Sequence, residues 1–368
     1  MTRFALAVTA LLAVAYTYIA SRLAVGPVSA VLLAVPFILI WILPVYYWGT
    51  SRSREGVIDK LLHRASYLSM AWVSFALVFT LVRDLALLAT SWTPAVHTMV
   101  VSAGVPVVLG GSLLAMACGA AAAFRGPRIE RIDLPVTGLH PDLDGYRIVQ
   151  ISDLHVGPNI GRHYVARVAE LTQSLQPDLI VLTGDIVDGP VARLAPHVAP
   201  LGELSRDGRA FFILGNHDCY AGAGAWIAHF REMGMRVLLN SHELVRKGAA
   251  RLLVGGVVDP AYAKARPDAK AAMDGAPAAD FRLLLAHNPR LAPLGAAAGF
   301  DLQLSGHTHA GQFFPWTLAV RLVHAPHVAG LSREGRMQVY VSAGTGTWGP
   351  PVRFGTNPEL TLIRLVRV

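Results

Sequence analysis

The sequence has few charged residues for its length and almost no cysteine. Of its 368 residues, 15% are charged and 53% are hydrophobic, and the mean hydropathy is +0.45. Because about a quarter of the residues in a soluble globular chain are charged, this composition excludes an ordinary soluble protein. The two cysteines, Cys118 and Cys219, lie far apart in the chain. They do not form a disulfide framework, and they do not indicate a cellular compartment.

Acidic residues are scarce in the first third of the chain. Residues 1–126 contain eight Lys or Arg and three Asp or Glu, whereas residues 127–368 contain 24 and 21. The net charge of +8 therefore comes mostly from the flanks of apolar segments. The sequence has no basic helix and no basic run interleaved with aromatic residues, so nucleic acid is not an expected partner. It does not indicate a protein partner either.

Residues 1–126 are predicted to form a helical membrane anchor. Four apolar runs each approach or exceed the roughly 20 residues that a helix needs to cross a bilayer. They are residues 4–20, 27–48, 66–89 and 95–124. We therefore predict about four transmembrane helices and a multi-pass protein of the cell membrane. Arg83 and Asp84 interrupt the third run, and we expect them to pair or to lie near an interface.

Basic residues are unevenly divided between the two ends of these four spans. One end has only Arg22, and the other has Arg3, Arg52, Arg54, Lys60, Arg64, Arg125, Arg128 and Arg131. The positive-inside rule then places residues 127–368 in the cytoplasm, and an odd number of spans would reverse this orientation. The first run also fits a cleavable signal peptide ending near Val28-Ser29-Ala30. A second apolar run beginning at that site suits a membrane hairpin better.

After residue 126 the sequence alternates short apolar runs with segments of helical periodicity. An amphipathic helix is predicted over residues 163–175, and strands are predicted over residues 146–151, 178–182, 210–214, 281–286 and 301–304. This alternation is typical of a layered α/β or α+β domain, here residues 127–368. The Ala- and Pro-rich residues 260–279 show little periodicity and are interpreted as a mobile insertion or lid.

Each of the five predicted strands is followed directly by side chains that can bind a metal ion. These side chains are Asp153, His155, Asp185, Asn216, His287, His307 and His309. Ligands at the carboxyl ends of strands converge on one crevice. Seven ligands exceed the needs of one tetrahedral ion and suit two ions that share a bridging carboxylate. Any one of these residues alone would be interpreted as a turn residue, so the prediction rests on their joint occurrence.

The same residues form motifs that occur in the order of a known family. D-x-H, G-D, G-N-H-D, a lone H and G-H-x-H occur as Asp153-Leu154-His155, Gly184-Asp185, Gly215-Asn216-His217-Asp218, His287 and Gly306-His307-Thr308-His309. This pattern resembles the calcineurin-like metallophosphoesterase superfamily over about residues 145–368. The sequence G-T-W-G-P-P at residues 346–351 is similar to a membrane-anchored prokaryotic branch. Ala310 stands where that branch often has glycine.

The resemblance implies a fold and a role for each residue. The fold would be α+β, a layered β-sandwich flanked by helices and preceded by the membrane anchor. One metal would be held by Asp153, His155, Asp185 and His309. The other would be held by Asp185, Asn216, His287 and His307, with Asp185 bridging. His217 would serve the leaving oxygen and would be oriented by Asp218; we interpret Asp188 as a loop cap and Asp259 as a weaker candidate for the cleft edge.

Two divalent cations lower the pKa of a bridging water and so provide a nucleophile for phosphate-ester hydrolysis. Mn, Fe and Zn all suit this mixed ligand set. The predicted enzyme is a phosphodiesterase or pyrophosphatase that acts at the membrane bilayer, and lipid-linked phosphate esters are among its candidate substrates. The alternatives are a broad phosphatase of soluble nucleotides, or a metal-binding membrane sensor or transporter without catalysis. The complete ligand set, together with His217, argues against the last alternative.

Overall fold

The computed structural model describes residues 2–46 and 56–368. Within these residues the helices are α1 Thr2–Leu23, α2 Pro27–Tyr46, α3 Val57–Ala89, α4 Pro94–Phe124, α5 Arg162–Ser174, α6 Val191–Val198, α7 Asn216–Tyr220, α8 Ala223–Glu232, α9 Ala292–Ala297 and α10 Trp316–His324. The strands are β1 Arg128–Val136, β2 Arg147–Ile151, β3 Leu179–Leu182, β4 Ala210–Phe212, β5 Arg236–Val237, β6 Ser241–Lys247, β7 Ala250–Gly256, β8 Phe281–Leu285, β9 Leu302–Ser305, β10 Gly330–Glu334, β11 Met337–Val341 and β12 Glu359–Arg367.

The chain divides into two compact units. The first contains Met1–Phe124 and two short later segments, Phe313–Pro315 and Gly349–Phe354. The second contains Arg125–Gln312, Trp316–Trp348 and Gly355–Val368.

The first unit consists of apolar helices. Three helical stretches in the described residues are long and apolar enough to cross a membrane, namely Leu6–Leu23, Val57–Ala89 and Pro94–Phe124. A shorter apolar helix covers Pro27–Trp41. The end of the second predicted run at Trp48, together with Arg52 and Arg54, lies outside the described residues. The helical character of the anchor is therefore confirmed, whereas the number of four spans stays a prediction.

The charged pair in the third apolar run lies in an interhelical cluster. Asp84 Oδ1 is 3.2 Å from Arg83 Nη1 and its Oδ2 is 2.9 Å from Arg22 Nε, near the end of α1. The hydroxyl of Tyr18 also donates a hydrogen bond to Asp84 Oδ2, at 3.0 Å. The expected pairing of Arg83 with Asp84 is confirmed. Arg83 also adds a second basic residue to the end of the bundle at which the sequence shows only Arg22.

The second unit is built on two six-stranded mixed sheets. One sheet has the order β1-β12-β2-β3-β4-β5, and the other has the order β10-β11-β9-β8-β7-β6. In the first sheet β2, β3, β4 and β5 run parallel, and in the second β7, β8, β9 and β11 run parallel. The predicted strands and the predicted helix correspond to β2, β3, β4, β8, β9 and α5, with ends shifted by one or two residues.

The two sheets pack face to face around a buried apolar layer. Ile148, Val181 and Phe211 of the first sheet and Leu283 and Leu304 of the second are all inaccessible to solvent and belong to one cluster. Continuous apolar runs such as β3, Leu179–Leu182, occur in strands that are covered on both faces. A further cluster joins the outer face of the first sheet to α5, α6 and α8, and another joins the outer face of the second sheet to α9. The predicted sandwich with flanking helices is confirmed.

Part of the Ala- and Pro-rich residues 260–279, interpreted above as a mobile insertion or lid, packs against the second sheet. Ala269 and Ala272 are buried in the cluster on the outer face of the second sheet, and Met273 packs against it. The His242 ring nitrogen Nδ1 lies 3.0 Å from the carbonyl oxygen of Ala272. Small side chains can pack without the periodicity of a regular helix, so the sequence pattern did not reveal this contact surface.

The layer between the sheets gives a stability test. Leu283→Ala should lower the free energy of unfolding by about 2–5 kcal/mol, because it leaves a cavity among side chains that cannot fully collapse. Unfolding of the full chain in mild detergent, followed by tryptophan fluorescence, measures this loss. Leu294→Ala is the matched control because Leu294 is 46% exposed. Equal losses for the two variants would contradict the assignment of Leu283 to the core.

Candidate metal centre

The predicted metal ligands come together at one end of the sandwich. Polar contacts join the carboxyl ends of strands from the two sheets. Gln150 Nε2 donates to Thr183 Oγ1 and to the carbonyl oxygen of Ser305, both at 2.8 Å. The backbone N–H of His307 donates to both carboxylate oxygens of Asp153, at 2.9 and 3.1 Å. These contacts fix β2, β3 and β9 in register at the point where the ligands leave the strands.

One group of three side chains surrounds a position suitable for a cation. Asp153, His155 and His309 each offer a ligand atom, and these atoms lie within 4.8 Å of one another. His155 Nε2 is 3.0 Å from His309 Nε2, and His309 Nε2 is 3.3 Å from Asp153 Oδ1. All three residues are buried. This is the set that the resemblance assigns to the first metal, and Asp185 Oδ2 lies 3.9 Å from His155 Nε2.

A second group of three lies on the other side of Asp185. Asp185, His287 and His307 also bring their ligand atoms within 4.8 Å. His287 Nε2 is 3.1 Å from Asp185 Oδ2. Asn216 Oδ1 lies 3.0 Å from His307 Nδ1, which brings the fourth expected ligand into this group. Asp185 is therefore close to both groups, as a bridging carboxylate must be.

The hydrogen bond of His287 Nδ1 prepares this ring for a cation. His287 Nδ1 is 2.8 Å from the carbonyl oxygen of Thr183, and a carbonyl can only accept a hydrogen bond. Nδ1 therefore carries a proton, and in the neutral ring Nε2 presents its lone pair. His287 Nε2 is buried and forms no hydrogen bond within residues 2–46 and 56–368. A buried lone pair facing a carboxylate fits a metal ion, and the backbone carbonyl fixes the ligand tautomer.

The electrostatic potential of the centre favours positive charge. Burial lowers the pKa of His155, but the Asp188 carboxylate outweighs it and raises the pKa to about 9. Burial likewise opposes the charged form of His287, and the charge of Asp185 raises its pKa well above the usual value. Burial would raise the pKa of Asp185, but the charge of His287 holds it below its ordinary range. Buried carboxylates thus create a potential that attracts protons or metal ions.

The backbone at the ligands adopts a conformation that few residues tolerate. Asp153, His155, Asp185, His307 and His309 all have positive φ angles, from 51° to 71°. Non-glycine residues in the left-handed region are uncommon and cluster at functional sites. These five residues lie in the loops that follow β2, β3 and β9, and their side chains face the centre.

Two glycines allow the chain to approach the carboxylate ligands closely. A Cβ atom at Gly215 would overlap Asp185 Oδ1, and one at Gly306 would overlap Asp153 Oδ2 and Ser152 Oγ. Any side chain at these positions would displace a ligand carboxylate. Glycine has no Cβ atom and so permits this close approach.

Asp188 contacts two histidines of the centre, whereas the sequence was interpreted as giving a loop cap. Its Oδ1 atom is 2.8 Å from His155 Nδ1 and also 2.8 Å from His217 Nδ1. Burial alone would raise the pKa of Asp188, but its two histidine partners hold the pKa below its usual range. One carboxylate oxygen therefore fixes the tautomer of a predicted metal ligand and that of the predicted catalytic histidine. Asp188 lies three residues after Asp185, a spacing that gives no signal in the sequence.

Asp218 does not orient His217, contrary to the expectation from the resemblance. Its two carboxylate oxygens accept hydrogen bonds from four backbone N–H groups, those of Asp185, Ile186, Val187 and Gly215, at 2.8–3.1 Å. Burial raises the pKa of Asp218 to about 7, and the backbone donors act in the opposite direction. Its contacts hold the two ligand loops together, and it has no direct contact with His217 among the hydrogen bonds of the described residues.

Other predicted residues lie at the margin of the centre. His217 is 22% exposed in its side chain, and its ring centroid is 5.9 Å from that of Trp348 and 5.8 Å from that of Tyr220. Asp259 is buried, and the charges of His287 and His217 both act on it. His324, which the sequence gave no reason to distinguish, has its ring centroid 5.3 Å from that of His307.

Comparison with known proteins agrees with this geometry. The profile of the family described as calcineurin-like phosphoesterase matches residues 146–311. A metallophosphoesterase of Aquifex aeolicus, named as uncharacterized, is 30% identical over 244 residues, which cover 65% of this chain and 91% of that protein. The chain belongs to the calcineurin-like metallophosphoesterase family.

Of two further relatives, one is named as a transmembrane protein. A protein of Danio rerio named "Transmembrane protein with metallophosphoesterase domain" is 35% identical over 66% of this chain and 58% of its own length. An uncharacterized metallophosphoesterase of Helicobacter pylori is 32% identical over 65% of this chain and 64% of its own length. The chain thus spans less than two thirds of the length of these two relatives. Together with the apolar helices, the name of the Danio rerio protein indicates membrane association.

The shared oxygen of Asp188 gives a test of the centre. Asp188→Asn removes the charge that holds His155 and His217, and we expect it to lower metal affinity and turnover by about 10- to 100-fold. Metal content and phosphoesterase activity of the purified protein measure the two effects. Asp268→Asn, in an exposed loop, is the matched control. An Asp188→Asn protein with unchanged metal affinity and rate would contradict this role.

Proposed function

We propose that this metallophosphoesterase hydrolyses phosphodiesters or phosphoanhydrides at the membrane with two divalent ions. The first ion is assigned to Asp153, His155, Asp185 and His309, and the second to Asp185, Asn216, His287 and His307. The observation that carries the proposal is that the group of Asp153, His155 and His309 lies next to the group of Asp185, His287 and His307, with Asp185 Oδ2 3.9 Å from His155 Nε2. When bound, two such ions supply a water of lowered pKa and neutralise charge on the phosphoryl oxygens. Mn, Fe and Zn all match these nitrogen and oxygen donors.

His217 is assigned to the leaving group. Its Nδ1 is bound to Asp188, so Nε2 is the ring nitrogen that can meet a substrate. The side chain is partly exposed while His155, 4.7 Å away between ring centroids, is buried. A histidine at the solvent side of a metal centre can donate a proton to a departing oxygen. Asp188 keeps the ring in the tautomer that leaves Nε2 facing away from the carboxylate.

The complete ligand set argues against a sensor or transporter that only binds metal. Such a protein needs neither a partly exposed histidine beside the metal ligands nor a carboxylate that orients it. A broad phosphatase of soluble nucleotides uses the same centre, and a panel of lipid and nucleotide esters separates the two enzyme classes.

The bridging role of Asp185 provides the direct test. The purified full chain should hydrolyse bis-p-nitrophenyl phosphate only with added divalent ions. Asp185→Asn keeps the side-chain shape but removes a charge shared by both ions, so bound metal and turnover should both fall to near background. Asp133→Asn is the control, because Asp133 is 60% exposed and pairs with Arg364. An Asp185→Asn protein with two bound ions and normal turnover would show that Asp185 does not bridge.

The orientation proposed for residues 127–368 is cytoplasmic. It rests on the excess of basic residues at one end of four spans. A fusion of alkaline phosphatase after Val368 in a bacterial host tests it, because this reporter is active only in an oxidising exterior. We expect an inactive reporter, and a green fluorescent reporter at the same position should fluoresce. An active phosphatase fusion would place the catalytic unit outside the cytoplasm.

A further inference from the structure

Helix α10, Trp316–His324, presents its apolar side chains to the outside. None of its nine residues, all of which the structure describes, is buried. Leu318, Leu322 and Val323 have exposed fractions of 54, 90 and 52%, and Trp316 has 50%. A surface helix of a soluble domain normally turns such side chains toward the core. A contiguous exposed apolar face of this kind marks an interaction surface.

Thr317 and His324 of α10 lie on the side of the metal centre, and Arg321 is exposed. Thr317, Arg321 and His324 follow the i, i+4, i+7 spacing that places side chains on one helix face. The backbone of Thr317 packs against Gly311, where an added Cβ atom would collide with it. The ring of His324 lies 5.3 Å from that of the ligand His307. Rotating α10 to bury its leucines would remove both contacts, so the outward apolar face is built into the fold.

Basic groups accompany the exposed apolar face. Arg290 Nη2 donates to the carbonyl oxygen of Val323 at 2.7 Å, and Arg290 and Arg321 are both exposed. Residues 316–336 contain three arginines and one glutamate. Helices that combine Trp and Leu on an apolar side with arginines lie in the headgroup region of bilayers, where the cations meet lipid phosphates. The chain itself carries apolar helices long enough to cross a bilayer.

We propose that α10 inserts Leu318, Leu322 and Val323 into the surface of the lipid bilayer and that the phosphate ester hydrolysed at the adjacent metal centre is carried by a lipid. This proposal rests on the phosphoesterase function proposed above and adds its substrate class. The same helix holds His324 against a metal ligand and offers its apolar face to the bilayer. A phosphate in the headgroup layer is then close to the ligands without leaving the membrane.

Two substrates with one leaving group test the proposal. Bis-p-nitrophenyl phosphate is soluble, whereas phosphatidyl-p-nitrophenol is held in the bilayer, and both release p-nitrophenol. The full chain is reconstituted in nanodiscs of phosphatidylcholine and phosphatidylglycerol in equal amounts. We expect Leu318→Gln combined with Leu322→Gln to lower the rate on the lipid substrate about tenfold, because two apolar side chains no longer enter the bilayer. The rate on the soluble diester should stay unchanged.

Leu294→Gln is the matched control, since Leu294 is 46% exposed on α9 and should leave both rates unchanged. An unchanged lipid rate in the α10 double variant would overturn the proposal. A parallel loss on both substrates would also overturn it, because this result assigns α10 to the stability of the fold. A wild-type dimer that the substitutions convert to a monomer would overturn it too, because this result assigns α10 to contact with a second copy. Failure of the wild type on the soluble diester contradicts the proposed function itself, whereas failure confined to the lipid substrate contradicts only the role of α10.

Discussion

Imidazole nitrogens and carboxylate oxygens that face one another repel unless a proton or a metal ion lies between them. His155 Nε2 and His309 Nε2 lie 3.0 Å apart, and His287 Nε2 lies 3.1 Å from Asp185 Oδ2. The opposite ring nitrogens of His155 and His287 are engaged by Asp188 and by the carbonyl of Thr183. Burial removes the water that would otherwise relieve this repulsion. Neighbouring carboxylates raise the pKa values of His155 and His287, whereas burial and the charge of His287 lower the pKa of His307, so positive charge is favoured beside the carboxylates.

The surrounding fold holds the ligand side chains together at the centre. The sandwich brings the carboxyl ends of β2, β3, β4, β8 and β9 to one edge, so ligands from distant parts of the sequence converge. Five ligands have a left-handed backbone conformation. This conformation is unfavourable, and an isolated loop would not adopt it. Asp218 restrains two of these loops by collecting four backbone N–H groups, and the apolar layer between the sheets keeps the strands in place. The strain at the centre is therefore supported by packing and hydrogen bonds outside it.

Much of this centre could be predicted because strands and their polar ends are local features. Apolar runs followed at once by Asp, His or Asn locate the ligands, and the order of the motifs supplies the family. The partners of His217 could not be predicted, because Asp188 and Asp218 both lie near ligands and only the three-dimensional path of the loop decides between them. The packing of residues 260–279 and the outward apolar face of α10 were also missed. Both depend on which neighbours a segment meets, and hydrophobic periodicity does not contain that information.

The position of β12 has a consequence for the order in which the second unit can form. This strand, Glu359–Arg367, lies between β1 and β2, pairing with β1 in parallel and with β2 in antiparallel orientation. During synthesis, β1 emerges more than 200 residues before its neighbour. Until residues 359–367 are made, β1 has no partner in its final sheet and β2 has an open edge. An open edge invites pairing with another chain. The nascent protein must therefore hold an incomplete sheet until β12 is made, which gives chaperones a defined interval in which to act.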